Sequence, residues 1–217
     1  MNRKQIFSLV ILTLTAAVQI FATGFANAGD LKGRVKGTST AVVFLEGVPG
    51  TVPKTDTVIT HKPGGAFDPP IAIGFVGNDF VFRNEDDTLH TTHLYLELEY
   101  QKEVSGRPIK NGATLYNIAL PKKGMEVHRA IKPYHQFSKD TGSIAVRCNP
   151  HPAEKAAALV FNHPYVAIVD ENGDFDIPNV PPGMHDVWIW HDGKASKWKS
   201  VEVKDGSATE IVVDLGG

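Results

Sequence analysis

The sequence predicts an all-β protein built from sandwiched sheets. Three observations predict it. Apolar residues recur with period two in short segments, Gly- and Pro-rich turn signals separate those segments, and no long stretch carries a convincing helical period. Many short strands punctuated in this way bury their apolar faces best as layered sheets.

Taken in order, "GNDFVFRNED" (77–86) places Phe80, Phe82 and Asn84 on one face of a strand, with Val81 and Arg83 on the other. "LYLELEY" (94–100) sets Leu94, Leu96, Leu98 and Tyr100 against Tyr95, Glu97 and Glu99. "SIAVRC" (143–148) aligns Ile144, Val146 and Cys148. "MHDVWIWHDG", "KWKSVEVKDG" and "TEIVVDL" read as closing strands. "DENGDF" and "VPPG" are turns: Asn172-Gly173 suits a tight hairpin, Pro181 and Pro182 preset φ, and Gly183 tolerates positive φ. Short helical turns are expected only around 124–130 and 152–157. Trp188, Trp190 and Trp198 are read as core and edge packing rather than a carbohydrate surface.

The chain opens with Arg3 and Lys4, an apolar run from Ile6 to about Phe21, and then Ala26-Asn27-Ala28. Ser8, Thr13, Thr15 and Gln19 interrupt that run, which is short for a membrane span of about 20 residues. It reads as a cleavable signal peptide, residues 1–28, which sends the protein to the periplasm or beyond and leaves no membrane anchor after cleavage. The formal net charge of −2 argues against nucleic acid or an anionic membrane as partner.

An exported protein lives where disulfides form, yet Cys148 is the single cysteine. Composition leaves four readings open: an inert buried thiol, an intermolecular disulfide partner, a metal ligand or a catalytic thiol. Strand parity adds to this. Extended back from Leu94, it puts His90 on the apolar face and His93 on the face of Glu97 and Glu99. Cys148 shares the face of Ile144 and Val146, and His151 follows three residues later. A thiolate and two imidazoles are the equatorial set that holds copper in electron-transfer sites: the thiolate suits Cu(I), and the imidazoles keep Cu(II) acceptable.

"FDPPIAIGFVGNDFVFRNEDDTLHTTH" (67–93), "YNIALPKKG" (116–124) and "TGSIAVRCNPHP" (141–152) resemble the cupredoxin (plastocyanin-like) pattern over roughly residues 56–161. The resemblance implies a Greek-key β-sandwich that binds copper, with His90, Cys148 and His151 as equatorial ligands and Asn84 beside the site. It departs at the axial position. "CNPHPAEK" puts Glu154 in the slot of the family's methionine and Ala153 in its aromatic slot, while Met125 and Met184 lie outside the motif. A coordinated carboxylate is a harder donor that favours Cu(II) and lowers the reduction potential. Otherwise Glu154 turns to solvent or pairs with a base such as Lys155, and the metal is three-coordinate, water-bound or absent. His93 is a reserve ligand, whereas His61, His128, His135 and His185 read as surface or loop residues.

"HPYVAIVDENGDFDIPNVPPGMHDVWIWHDG" (163–193), which contains His163 and His191, resembles the carboxypeptidase regulatory-like (transthyretin-like) sandwich. The early strands of that family match "LKGRVKGTSTAVVFLEGVPG" (31–50), far upstream. The expected organisation is therefore a cupredoxin-like domain, 54–161, inserted into or packed beside a second small sandwich split between 29–53 and 162–217.

The function expected from these readings is copper-based one-electron transfer or copper handling, not enzymatic catalysis. The partner would be a redox protein or a copper donor or acceptor. The competing expectation is a non-redox periplasmic or surface interaction module with a degenerate metal site. A thiol enzyme built on Cys148 and His151 would also need an orienting third residue and an oxyanion-forming loop, and neither is readable.

Overall fold

The computed structural model describes residues 27–97, 102–104, 107–109, 112–137 and 143–215. Residues 1–26, with most of the expected signal peptide, lie outside them, as do Leu98–Tyr100 of the predicted second strand. Among the described residues no helix is long and apolar enough to cross a membrane.

The chain is all-β. In chain order the strands are β1 (Gly29–Lys36), β2 (Ala41–Leu45), β3 (Thr57–Lys62), β4 (Ala66–Asp68), β5 (Ile71–Phe75), β6 (Asp79–Asn84), β7 (His90–Glu97), β8 (Lys102–Val104) and β9 (Arg107–Ile109). They continue as β10 (Thr114–Leu120), β11 (Glu126–Ala130), β12 (Ser143–Arg147), β13 (Lys155–Phe161), β14 (Val166–Ile168), β15 (Asp174–Val180), β16 (Gly183–His191), β17 (Lys194–Val203) and β18 (Ala208–Asp214). A single 3-10 turn, Pro133–His135, interrupts them among the described residues.

Four sheets stack in layers, and β8 pairs separately with β9. The order β15-β1-β18 faces β14-β2-β16-β17, and β10-β7-β12-β13-β5 faces β11-β6-β3-β4. The first pair of sheets draws strands from both ends of the chain: β1 lies between β15 and β18, and β2 lies between β14 and β16. Its core holds Leu31, Val43, Leu45, Ile177, Val187 and Val213. The second pair encloses Phe80, Phe82, Leu94, Leu120, Ile144 and Val160. A third cluster joins the two: Val42, Phe44 and Trp190 meet Ile71, Phe137, Leu159 and Phe161.

This layering explains one failure of pattern reading. In β13, "KAAALVF", Ala156, Ala158 and Val160 face one core while Leu159 and Phe161 face the joint. A strand covered on both faces shows no polar alternation. The alanines therefore read as helical, and the helical turn expected at 152–157 is instead a short turn leading into a strand. The helical turn expected at 124–130 is likewise wrong beyond Met125, because Glu126–Ala130 is β11, paired antiparallel with β6. Trp190 and Trp188 pack at or against the joint, and Trp198 packs against the first core. Asn172-Gly173 does form a tight turn, with Gly173 at φ 82°, but it leads from a strand of one sheet to a strand of the facing sheet. An added Cβ there would lie 2.3 Å from the Val35 carbonyl oxygen, which requires glycine.

His135 and His163 are buried, at 2% and 7% exposure, which corrects the surface reading of His135. Burial pushes each ring down to about 4 from an ordinary value of 6.5, with Lys132 adding to the effect at His135. The unfolded chain then binds protons that the folded chain refuses. Stability should be full above about pH 6.5, fall as pH drops from there to about 4, and lose nothing further to these groups below that. The loss is up to ~3 kcal/mol per ring. Urea unfolding between pH 7.5 and 4 measures it, and His163→Gln should reduce the slope.

Candidate metal centre

The site is assembled where β3, β6, β7, β12 and β13 end or begin. β6 runs parallel to β3, which sets His61 opposite Asn84. Asn84 is fully buried, and its side-chain amide donates to the Thr88 and Leu120 carbonyls, 2.9 Å each. Its side-chain oxygen accepts the Asp86 amide at 2.8 Å. Asn84 thus closes the loop that carries His90.

His90 opens β7 and is 1% exposed. Its Nε2 lies 3.0 Å from an Asp86 carboxylate oxygen and 3.1 Å from the Thr88 hydroxyl. Asp86 is held below the usual carboxylate range by the His90 hydrogen bond first, then by the Thr88 hydroxyl. An Nε2–H donated to that carboxylate leaves the Nδ1 lone pair available, the tautomer a metal ligand needs.

Cys148 follows β12 and is 1% exposed. Its Sγ lies 3.6 Å from His90 Nδ1 and 3.5 Å from His151 Nδ1, while the two Nδ1 atoms are 3.2 Å apart. The Thr91 amide donates to the sulfur at 3.4 Å, and the Thr91 hydroxyl accepts the Asn149 amide at 2.9 Å, so one residue fixes both the thiol and its loop. Burial pushes the Cys148 thiol above its usual range, a cost that a positive ion at the sulfur would offset. The His151 side chain is 38% exposed, which makes it the solvent edge of the cluster.

Glu154 does not turn to solvent. It is 2% exposed, and its amide donates to the His151 carbonyl at 2.9 Å. One carboxylate oxygen, Oε2, lies 2.9 Å from His61 Nδ1 and 3.3 Å from His90 Nδ1. The other, Oε1, lies 3.2 Å from His151 Nδ1 but makes no hydrogen bond among the described residues. An orphaned buried carboxylate oxygen is costly unless something positive meets it.

His61 is the residue sequence reasoning missed. The sequence reads it as a surface or loop histidine, but it is completely buried in β3, with the ring centroids of Phe67 and His90 at 4.4 Å each. Its Nε2 is 2.9 Å from the Thr92 hydroxyl. Burial pulls its pKa down, opposed by the Glu154 hydrogen bond. Period two in "TVITHK", with Thr57, Ile59 and His61 on one face, was the available signal. Ligand atoms of His61, His90, Cys148 and Glu154 all lie within 4.8 Å of one another. His93 sits on the opposite face, bonded to Asn149 and Thr114, as its parity required. His128 is half exposed and His185 bonds the Pro181 carbonyl, both away from the cluster.

The spacing suits a small, tightly bound metal ion. With metal–nitrogen bonds of about 2.0–2.1 Å and a metal–sulfur bond of about 2.3 Å, angles of 100–120° give N···S separations of about 3.3–3.8 Å and N···N of about 3.1–3.6 Å. All three separations among His90, Cys148 and His151 fall inside those ranges. The donor set, one thiolate with two imidazoles and a carboxylate to one side, fits copper.

A family model described as polysaccharide lyase family 4, domain II, matches residues 155–211. That is a different family from the carboxypeptidase regulatory-like one expected for 162–217, and the match begins at Lys155, inside the segment expected to be cupredoxin-like. No curated protein matches the chain. Among solved structures, the chain is similar to amicyanin from Paracoccus versutus, at 14% identity over 55% of this chain and 97% of that one, with a TM-score of 0.34. It is also similar to a purple cupredoxin from Nitrosopumilus maritimus, at 15% identity over 49% and 99%, with a TM-score of 0.30. A reduced tryptophan-to-tyrosine variant of amicyanin gives 15% identity over 58% and 95%, with a TM-score of 0.33.

Proposed function

We propose that the protein is an exported, copper-binding electron or copper carrier of cupredoxin type rather than an enzyme. One observation carries the reading: His90 at the start of β7 meets Cys148, His151 and Glu154 of the β12–β13 loop, and the separations among His90, Cys148 and His151 suit a small metal ion held by a thiolate and two imidazoles. His90, Cys148 and His151 would hold the copper, with Glu154 as a fourth donor. Bound copper would supply one-electron chemistry. The chain's part is to fix His90 through Asp86, to place the Thr91 N–H on the sulfur, and to exclude water from all but the His151 edge, where a redox partner or copper donor would dock. The domain reading belongs to the same proposal: 54–161 carries the metal, and 29–53 with 162–217 forms a supporting sandwich.

Titration of metal-free protein with Cu(II), followed by electron paramagnetic resonance, tests it. One tightly held copper per chain supports the reading, and no tight binding rejects it. Replacing Glu154 by methionine should raise the reduction potential, since a thioether favours Cu(I) where a carboxylate favours Cu(II). Voltammetry of the two proteins measures this, and a lower potential in the variant would remove Glu154 from the coordination sphere.

A second reading, an interaction module with a degenerate metal site, draws on the His61–Glu154 contact, which meets half of the carboxylate without a metal. Full stability without metal, and a partner profile unchanged by Cys148→Ala, would favour it.

A further inference from the structure

His61 has no counterpart in the ligand set argued above, yet it is as deeply buried as any residue in the cluster. Its two ring nitrogens are both used. A neutral ring that donates Nδ1–H to Glu154 Oε2 accepts the Thr92 hydroxyl proton at Nε2, so the chain Thr92–His61–Glu154 is complete in donors and acceptors. Its outcome at the carboxylate is asymmetric. Oε2 is taken, while Oε1 is left without a hydrogen bond, 3.2 Å from His151 Nδ1.

We propose that His61 is a positioning residue of the metal centre, fixing one oxygen of Glu154 so that the other is presented to the ion as a single-oxygen ligand. The inference rests on the copper reading and adds to it a denticity and an orientation. Elements far apart in the chain make the device. Thr92 is on the strand opened by His90, His61 is on β3 of the facing sheet, and Glu154 precedes β13. The Phe67 and His90 rings hold the His61 ring at 4.4 Å on each contact, so it cannot swing away to become an exposed base. Gly65 lies beside the carboxylate, where an added Cβ would be 3.6 Å from Oε1. With Nδ1 and Nε2 both occupied, His61 supports the ligand set rather than joining it. Partners that hold a ligating group in place are worth about 10–100-fold in metal affinity.

The test compares copper-loaded wild type, His61→Phe, His61→Gln, Thr92→Val and Glu154→Ala by Cu(II) affinity and by electron paramagnetic resonance, together with His61→Phe in the Glu154→Ala background. His61→Phe should lower affinity by about 10–100-fold and shift the hyperfine pattern towards that of Glu154→Ala. His61→Gln, which retains a donor, should stay near wild type, and Thr92→Val should shift part of the way. In the Glu154→Ala background, removing His61 should change nothing further. A folded His61→Phe with the wild-type spectrum and affinity overturns the proposal, as does a His61 effect that persists undiminished without Glu154. Should His61→Phe fail to fold, Thr92→Val decides: the wild-type spectrum there overturns the proposal. Wild type that binds no copper overturns both this inference and the copper reading, and is recognised before any variant is compared.

Discussion

Replacing Cys148 by serine should remove the thiolate-to-copper absorption completely and cost more affinity than the roughly 10–100-fold typical of losing an outer hydrogen-bond partner. The sulfur is the only soft donor among the four residues and is what suits the site to Cu(I); a neutral hydroxyl replaces it poorly. The fold should survive. Serine is close in size, and its oxygen can accept the Thr91 amide that now points at the sulfur. Visible absorption and an affinity titration, with circular dichroism to confirm folding, measure the effect. A variant that kept the wild-type spectrum would show that Cys148 is an inert buried thiol.

Phe161→Ala should destabilise the protein by ~3–5 kcal/mol, the cost of removing a fully packed aromatic side chain. Phe161 is 2% exposed at the joint between the two sandwiches, with the rings of Phe44 and Phe137 at 5.3 and 5.9 Å. Urea unfolding reads the loss. The copper spectrum of the folded variant should be unchanged, because the ligand loop lies at the other end of β13, about 20 Å away along the strand. A loss below about 1 kcal/mol would mean that the joint relaxes around the cavity, and that the two sandwiches are held together by something other than this cluster.

Strand parity made much of the site legible. It set His90 and Cys148 facing one core and turned His93 away, because side-chain direction along a regular strand follows from sequence spacing alone. It also implied His61, but only for a reader who already knew that "TVITHK" was a strand with a buried face. The burial of Glu154 was not readable. Its environment comes from β3 and β7, both distant in sequence, and nothing local to "NPHPAEK" reports their approach. Pattern reading fails for β13 because both of its faces are covered: the period-two signal vanishes, and the alanine run reads as a short helical turn. For His135 the cause was different: a polar residue in a Pro-containing turn looks exposed, but the turn folds back so that its ring lies 6.5 Å from Phe80.

X-ray absorption at the copper edge, on protein loaded with one equivalent of Cu(II), reads the donor atoms around the ion. The geometry predicts one sulfur scatterer from Cys148 and three nitrogen or oxygen scatterers from His90, His151 and Glu154. Copper bound through nitrogen and oxygen alone, with no sulfur in its shell, would contradict it.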